Sequence, residues 1–267
     1  MRKLCLLSIM VGIVLSSGSL HGATEGEDIS LLAASEVLRV LGEGVVGDPA
    51  PGRPLSDPIG TARWEPGEWW YRLTSGARKG KTELESLAPI ALTPRGETWK
   101  RTVGKEYTLY VRQTAEGDLV MPTEIAHGHG VQVQFDPPLS YLLVGLAPGE
   151  RRMFDGKMEV YSAEALALKR YSGRIRATTM HAGVYRVRTP AGTFDATLIR
   201  TDYRVDILAV VTVRDKLYTF YADGVGKVAE AEHRRISAIG MFNSDMLIGK
   251  VLVSFTSTSP ATRVEAP

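Results

Sequence analysis

From Val184 to Glu232 the sequence VYRVRTPAGTFDATLIRTDYRVDILAVVTVRDKLYTFYADGVGKVAEAE divides into four runs rich in Val, Ile, Thr, Tyr and Phe. Such residues suit a pleated, half-buried surface, and the pattern predicts a continuous antiparallel meander. Pro190-Ala191-Gly192 closes the first hairpin, because Pro presets φ for a turn and Gly accepts the positive φ that follows. Arg214-Asp215-Lys216 is the expected second turn and Asp223-Gly224 the third.

The same reading extends in both directions. Gly67 to Thr74, with Trp69, Trp70 and Tyr71 in succession, predicts a strand. Thr82 to Leu92, Thr98 to Val103 and Tyr107 to Arg112 follow, and Ala115 to Asp118 turns the chain into Leu119 to Ile125. Val131 to Phe135 alternates apolar and polar residues, and Asp136-Pro137-Pro138 is expected to end it. Leu139 to Leu146 is an apolar run, and Pro148-Gly149 is a turn. Lys157 to Ser162 and Gly173 to Met180 read as strands, the second closed by His181-Ala182-Gly183. Ala163 to Lys169 fits a helical turn or a strand equally well. Ile248 to Thr256 forms the last strand, with Val251, Val253 and Phe255 expected on one face. Many short strands with frequent turns, and no strand–helix alternation, point to a barrel or sandwich and away from a parallel α/β sheet.

Upstream, apolar residues at 29, 32, 33, 37, 40 and 41 recur at helical spacing between Asp28 and Gly44. They predict the chain's one well-formed helix, with Asp28 as cap. Val45 to Ala62 is crowded with Pro and Gly and reads as an extended arm without a regular ladder or helix. Before these lies an export-leader pattern. Arg2 and Lys3 supply the positive charge, Leu4 to Leu15 the apolar stretch, and Ser16 to Ala23 a small-residue cleavage region. The apolar stretch is shorter than the roughly 20 residues of a membrane-spanning helix. The expected organisation is therefore a signal peptide over 1–23, helix plus arm over 24–63, a β domain over 64–257 and a flexible tail over 258–267. A periplasmic or secreted protein without a membrane span after leader removal follows.

Charge and cysteine content narrow the chemistry. Removing Arg2 and Lys3 with the leader takes two from the 32 basic residues and balances the 30 acidic ones. Without a continuous basic footprint, nucleic acid is not an expected partner. The single cysteine, Cys5, precedes the apolar stretch, so the processed chain has no thiol for disulfides, catalysis or soft-metal binding.

Thr189 to Phe194 (TPAGTF), followed by Tyr221 to Val228 (YADGVGKV), resembles a "PAGTF … YA.GVG.V" signature. It belongs to exported bacterial β-proteins grouped as a domain of unknown function. An early Trp-rich strand like Trp69-Trp70-Tyr71 also occurs there. The likeness covers Trp64 to Val253 loosely and the two short motifs specifically. It implies a mainly β fold: a curved antiparallel sheet forming an open or half-closed barrel, similar to lipoprotein carriers, with one N-terminal helix. It implies no catalytic residues and no cofactor. Independently, Pro190, Gly192, Gly224 and Gly226 have structural uses in turns and a bulge.

His127-Gly128-His129-Gly130 places two imidazoles on one side of an extended segment, a start on a Zn or Cu site if His181, His233 or Asp136 supplied a further ligand. A metal-dependent hydrolase using His127 and His129 is thus one functional class. GxSxG, HExxH and GxxxxGK[ST] are missing. Glu230 and Glu232 share a strand face and are expected on a solvated edge. A second class, and the expected function, is a non-catalytic envelope protein holding an apolar or lipid-like molecule on its curved sheet, with Trp69, Trp70, Tyr71, Tyr110, Phe135 and Phe194 as lining. A third is a structural or assembly factor that meets an envelope protein through its sheet edges.

Overall fold

The structure is a computed structural model, and residues 36–93, 96–208, 211–238 and 242–257 are described. The leader, the Asp28 cap, the first half of the expected helix and the tail lie outside them.

Twelve strands form a closed antiparallel barrel. They are β2 (Gly67–Leu73), β3 (Thr82–Thr93), β4 (Gly96–Val103), β5 (Tyr107–Gln113), β6 (Leu119–Ala126), β7 (Val131–Leu142), β8 (Arg151–Ser162), β9 (Lys169–Thr189), β10 (Gly192–Ile207), β11 (Val211–Ala222), β12 (Gly226–Ala238) and β13 (Phe242–Ser257). Each pairs with its sequence neighbours, and β13 pairs back onto β2, with Leu252 opposite Tyr71 and Phe255 opposite Trp69. The expectation of an open or half-closed barrel is thereby corrected. An unpaired edge would leave a row of backbone donors and acceptors unsatisfied, and pairing the first strand with the last removes it.

Several turn expectations hold and others do not. The β9–β10 hairpin turns at Pro190-Ala191, with Thr189 opposite Gly192, and β11 turns into β12 through Asp223-Gly224. Arg214-Asp215-Lys216, however, lies within β11, with Asp215 opposite Arg234. The β10–β11 turn begins instead at Leu208, whose φ is 51°. A charged triplet reads as a turn only if its charges must face water, and here a partner on the next strand receives Asp215. Asp136-Pro137-Pro138 does not end β7. The chain bulges between the Thr123–Gln134 and Met121–Leu139 pairs and re-enters the same strand. His181-Ala182-Gly183 likewise is a bulge inside β9, and Ala163 to Leu168 is a plain loop. Between Leu252 and Ser254 another bulge reverses the alternation, so Val251 and Phe255 fall on opposite faces rather than on one.

The N-terminal segment wraps the barrel. α1 (Glu36–Arg39) is a single turn whose Val37 and Leu38 are buried, as is Leu41 just after it. The arm is not irregular. β1 (Val46–Ala50) pairs with β9 over Val184 to Val187, and α2 (Pro58–Ala62) starts with Pro and is capped by the Asp57 carboxylate, which accepts from the Gly60 amide at 3.0 Å. Proline is tolerated at a strand edge and at a helix start, so four prolines still leave room for both. Past Gly183, the β9–β10 hairpin lies over the outer side of the wall, where the Ala191 amide donates to the Leu252 carbonyl at 3.3 Å. Tyr185, Val187, Leu198 and Phe220 are consequently buried on the outer face. Tyr185 and Phe220 meet edge-on with centroids 6.3 Å apart.

α2 and the residues after it close one end of the barrel. Leu55 exchanges backbone hydrogen bonds with Gly145 and Leu146. Thr61 donates to Asp223 at 2.9 Å, and Trp64 packs edge-on against Tyr141 with centroids 5.6 Å apart. The loops after β2, β4, β6, β8, β10 and β12 all lie at the opposite end, as the antiparallel registers require.

Candidate functional site: a charged lumen

Strand alternation and register turn Tyr71, Glu83, Glu85, Arg101, Lys227, Glu230 and Lys250 to the inside of the barrel. Glu85 is fully buried and is held on three sides. Arg101 donates to it through Nε at 2.9 Å and through Nη2 at 2.5 Å. Lys227 Nζ lies 2.7 Å away and Lys250 Nζ 2.8 Å. Glu230 binds the same two lysines at 2.9 and 3.0 Å, and Lys250 also donates to Glu83 at 3.1 Å. Three carboxylates thus face three cations, so the group is electrically balanced without a foreign ion. The two ammonium groups also lie 5.2 and 5.5 Å from the Tyr71 ring centre, and Tyr71 donates to the Lys227 carbonyl at 2.8 Å.

The network crosses the lumen. Arg101 on β4 donates to the Tyr141 hydroxyl on β7 at 3.0 Å, and Tyr141 is hydrogen-bonded to Tyr221 on β11. Three strands far apart around the wall are tied together by side chains through its middle.

Burial alone would push the carboxyl of Glu85 up, but Arg101, Lys227 and Lys250 outweigh it and hold the group well below the usual carboxylate range. Glu230 is likewise lowered to about 2, against its own burial, by Lys227 and Lys250. Burial pushes Lys227 down despite Glu230 and Glu85, whereas for Lys250 the carboxylates of Glu230, Glu85 and Glu83 prevail over burial.

Towards the other end a second cluster is not balanced. Arg234 bonds Asp215 at 3.0 Å and Glu232 at 2.7 Å and reaches across the lumen to the Tyr107 hydroxyl on β5. Glu124 on β6 also feels this group. Burial and the neighbouring Glu232 push Asp215 well above its ordinary value, and burial raises Glu124 too. Asp215 therefore keeps a proton that the unfolded chain releases. A group with a raised folded-state pKa contributes stability below its unfolded value of 3.8 that is lost as pH rises through the folded one. Glu230, lowered to about 2, acts in reverse, and its contribution is lost as pH falls below 4.5. Stability should accordingly peak on the acidic side of neutrality. The Asp215→Asn variant should flatten the decline above about pH 4, removing a slope of up to about 1.4 kcal/mol per pH unit. Urea denaturation across pH 4 to 8 (~half-unit steps) reads this directly, and an unchanged slope would refute it.

Glu230 and Glu232, expected on a solvated edge, are therefore lumen residues. The signal that could have found them is the alternation Glu230-Glu232-Arg234 beginning within the small apolar stretch Val228 to Ala231. The six aromatic candidates are divided between faces. Trp69, whose Nε1 donates to the Val225 carbonyl at 2.8 Å, Tyr71 and half-buried Phe135 point inward by register. Trp70, Tyr110 and Phe194 lie on the outer face. His127 and His129 sit in a 3₁₀ turn between β6 and β7, with His127 Nε2 2.9 Å from Thr108 Oγ1. The further ligands considered are elsewhere. His181 is buried near the plugged end with its Nε2 3.1 Å from the Arg53 carbonyl, and His233 is paired to Asp245 at 2.7 Å. Among the described residues no group of three or more His, Cys, Asp or Glu side chains is placed to hold a metal ion.

Two shallow clefts lie on the outside. One, of about 320 Å³, is lined by Arg53, Asp57, Thr61 and Asp223 beside α2. The other, of about 310 Å³, lies between Arg72 and Arg188 against Glu43. Neither is lined by a residue of the lumen network.

No protein-family model matches the sequence, and no curated protein does. Three solved structures are similar in part. A candidate exported protein with a YmcC-like fold from Bacteroides fragilis is 15% identical, with a TM-score of 0.43 over 78% of this chain and all of that one. A candidate lipoprotein from Parabacteroides distasonis is 11% identical with a TM-score of 0.36, again over 78% of this chain and all of the other. The hypothetical lipoprotein YmcC from Escherichia coli is 9% identical with a TM-score of 0.37, covering 73% of this chain and 89% of its own. None reaches the similarity at which a common fold would follow. No described helix is long and apolar enough to cross a membrane.

Proposed function

We propose that the chain is an exported, non-catalytic envelope protein that acts as a rigid scaffold and meets a protein partner on its outer surface. One observation carries this reading: the lumen is filled by a balanced network of ion pairs and tyrosines that runs from wall to wall. A lipid-like molecule would have to break those pairs to enter, and leaving a buried charge without its partner costs several kcal/mol (about 3–5). The curved sheet is thus a core and not a chamber for an apolar ligand. Export follows from the leader pattern in the sequence. The outer wall agrees with a watery compartment: Arg174 pairs with Asp155, and Arg176 and Arg204 with Asp206 at 2.7 and 3.0 Å. Charges so placed would be costly against hydrocarbon, about 2–4 kcal/mol for each Arg at mid-depth.

Native mass spectrometry of the protein recovered from the exported fraction of its own cell decides between the readings. The expected result is the bare mass of the processed chain, alone or with a second protein. A stoichiometric lipid or metal on the chain would overturn the scaffold reading.

A further inference from the structure

Among the described residues, the barrel end opposite α2 combines two properties. Its hairpin tips are apolar where turns are ordinarily polar: Leu166 and Leu168 in the β8–β9 loop are 52% and 58% exposed, and Leu208 at the start of the β10–β11 turn is 57% exposed. Those two loops flank β9, so the leucines leave the barrel side by side in sheet order. The same end carries Lys79 and Lys81 between β2 and β3 and Lys105 between β4 and β5, all exposed. Among the described residues none of these three lysines has an ion-pair partner, whereas Arg78 in the same loop is paired to Glu83 and Glu106.

From this pairing of protruding leucines with unneutralised lysines we infer that this end of the barrel docks peripherally on an anionic lipid surface. The leucines stand exposed on two separate loops, an arrangement that requires no complementary protein surface. A bilayer interface accepts apolar side chains one at a time and needs no such fit. Its anionic headgroups also attract each lysine that comes within a Debye length. The charged outer wall of β8 to β10 limits the contact to the tips, so the barrel stands on the surface without entering it.

The inference is independent of the scaffold reading, and its test is separate. Protein recovered from the exported fraction is sedimented with phosphatidylglycerol–phosphatidylcholine vesicles and with vesicles of phosphatidylcholine alone. The expected result is association with the anionic vesicles that falls as salt rises. Replacing all three tips (Leu166→Ser, Leu168→Ser, Leu208→Ser) should lower partitioning at least tenfold, and Lys79→Gln, Lys81→Gln, Lys105→Gln together should remove the preference for anionic vesicles. Met153, 88% exposed on the outer wall of β8, provides the contrast: Met153→Ser should leave partitioning unchanged. Unaltered thermal melting of each variant separates lost docking from lost folding. Wild-type protein that stays in the supernatant, a leucine variant that sediments as well as wild type, or an equal loss with Met153→Ser would each overturn the inference.

Discussion

Replacing Glu85 by Ala should cost about 3–5 kcal/mol of folding stability, enough to abolish the fold of a marginal domain. The side chain is completely buried and receives Arg101, Lys227 and Lys250 at 2.5 to 2.9 Å. Removing it leaves two carboxylates, Glu83 and Glu230, against three buried cations. The size of the loss would come from the imbalance rather than from the missing contacts. Glu85→Gln combined with Lys227→Met, which restores parity, should therefore recover most of what Glu85→Gln loses alone. Equilibrium denaturation of both single variants and the double closes the cycle. Additive losses would mean that the lumen network is not a coupled unit.

A second large effect is expected at Gly226. Its φ is 88°, and a Cβ there would stand 2.8 Å from the Ala62 carbonyl oxygen and 3.3 Å from Arg63 Cβ. Gly226→Ala thus meets both left-handed backbone strain, about 1–2 kcal/mol, and a clash with the end of α2. The helix must move, and Trp64 with it, for a total of about 3 kcal/mol or more once the overpacking is added to the strain. Gly224, two residues earlier, has a comparable φ of 71° with nothing within 4 Å. Gly224→Ala should cost only the strain. If thermal unfolding ranks the two variants equally, close approach of α2 is not what requires glycine at 226.

This contrast also measures what was legible beforehand. Both glycines stand in the YADGVGKV motif, and sequence reasoning assigned both to a turn and a bulge. That is right for the local conformation and silent on the difference between them, because the atom that excludes a side chain at 226 belongs to a residue more than 160 positions away. Arg214-Asp215-Lys216 is the opposite case. Three consecutive charged residues read as a turn on the premise that charge seeks water, and the premise fails for Asp215, which burial holds in its protonated form beside Arg234 on the adjacent strand. Glu230 and Glu232 were placed on a solvated edge for the same reason.

Period-two alternation and the Pro/Gly punctuation determined the class of fold, the antiparallel order of the strands and most hairpin positions, since these rest on interactions between near neighbours in the chain. Closure of the barrel, the bulges that swap faces in β9 and β13, the docking of the arm as β1 and α2, and the choice between an apolar and a charged lumen were decided only in three dimensions. A charged side chain is stable in either setting, exposed or buried, and its sequence position does not say which. For Glu85 what chooses is the arrival of Lys227 and Lys250 from β12 and β13, which pairing of β13 with β2 brings beside β3.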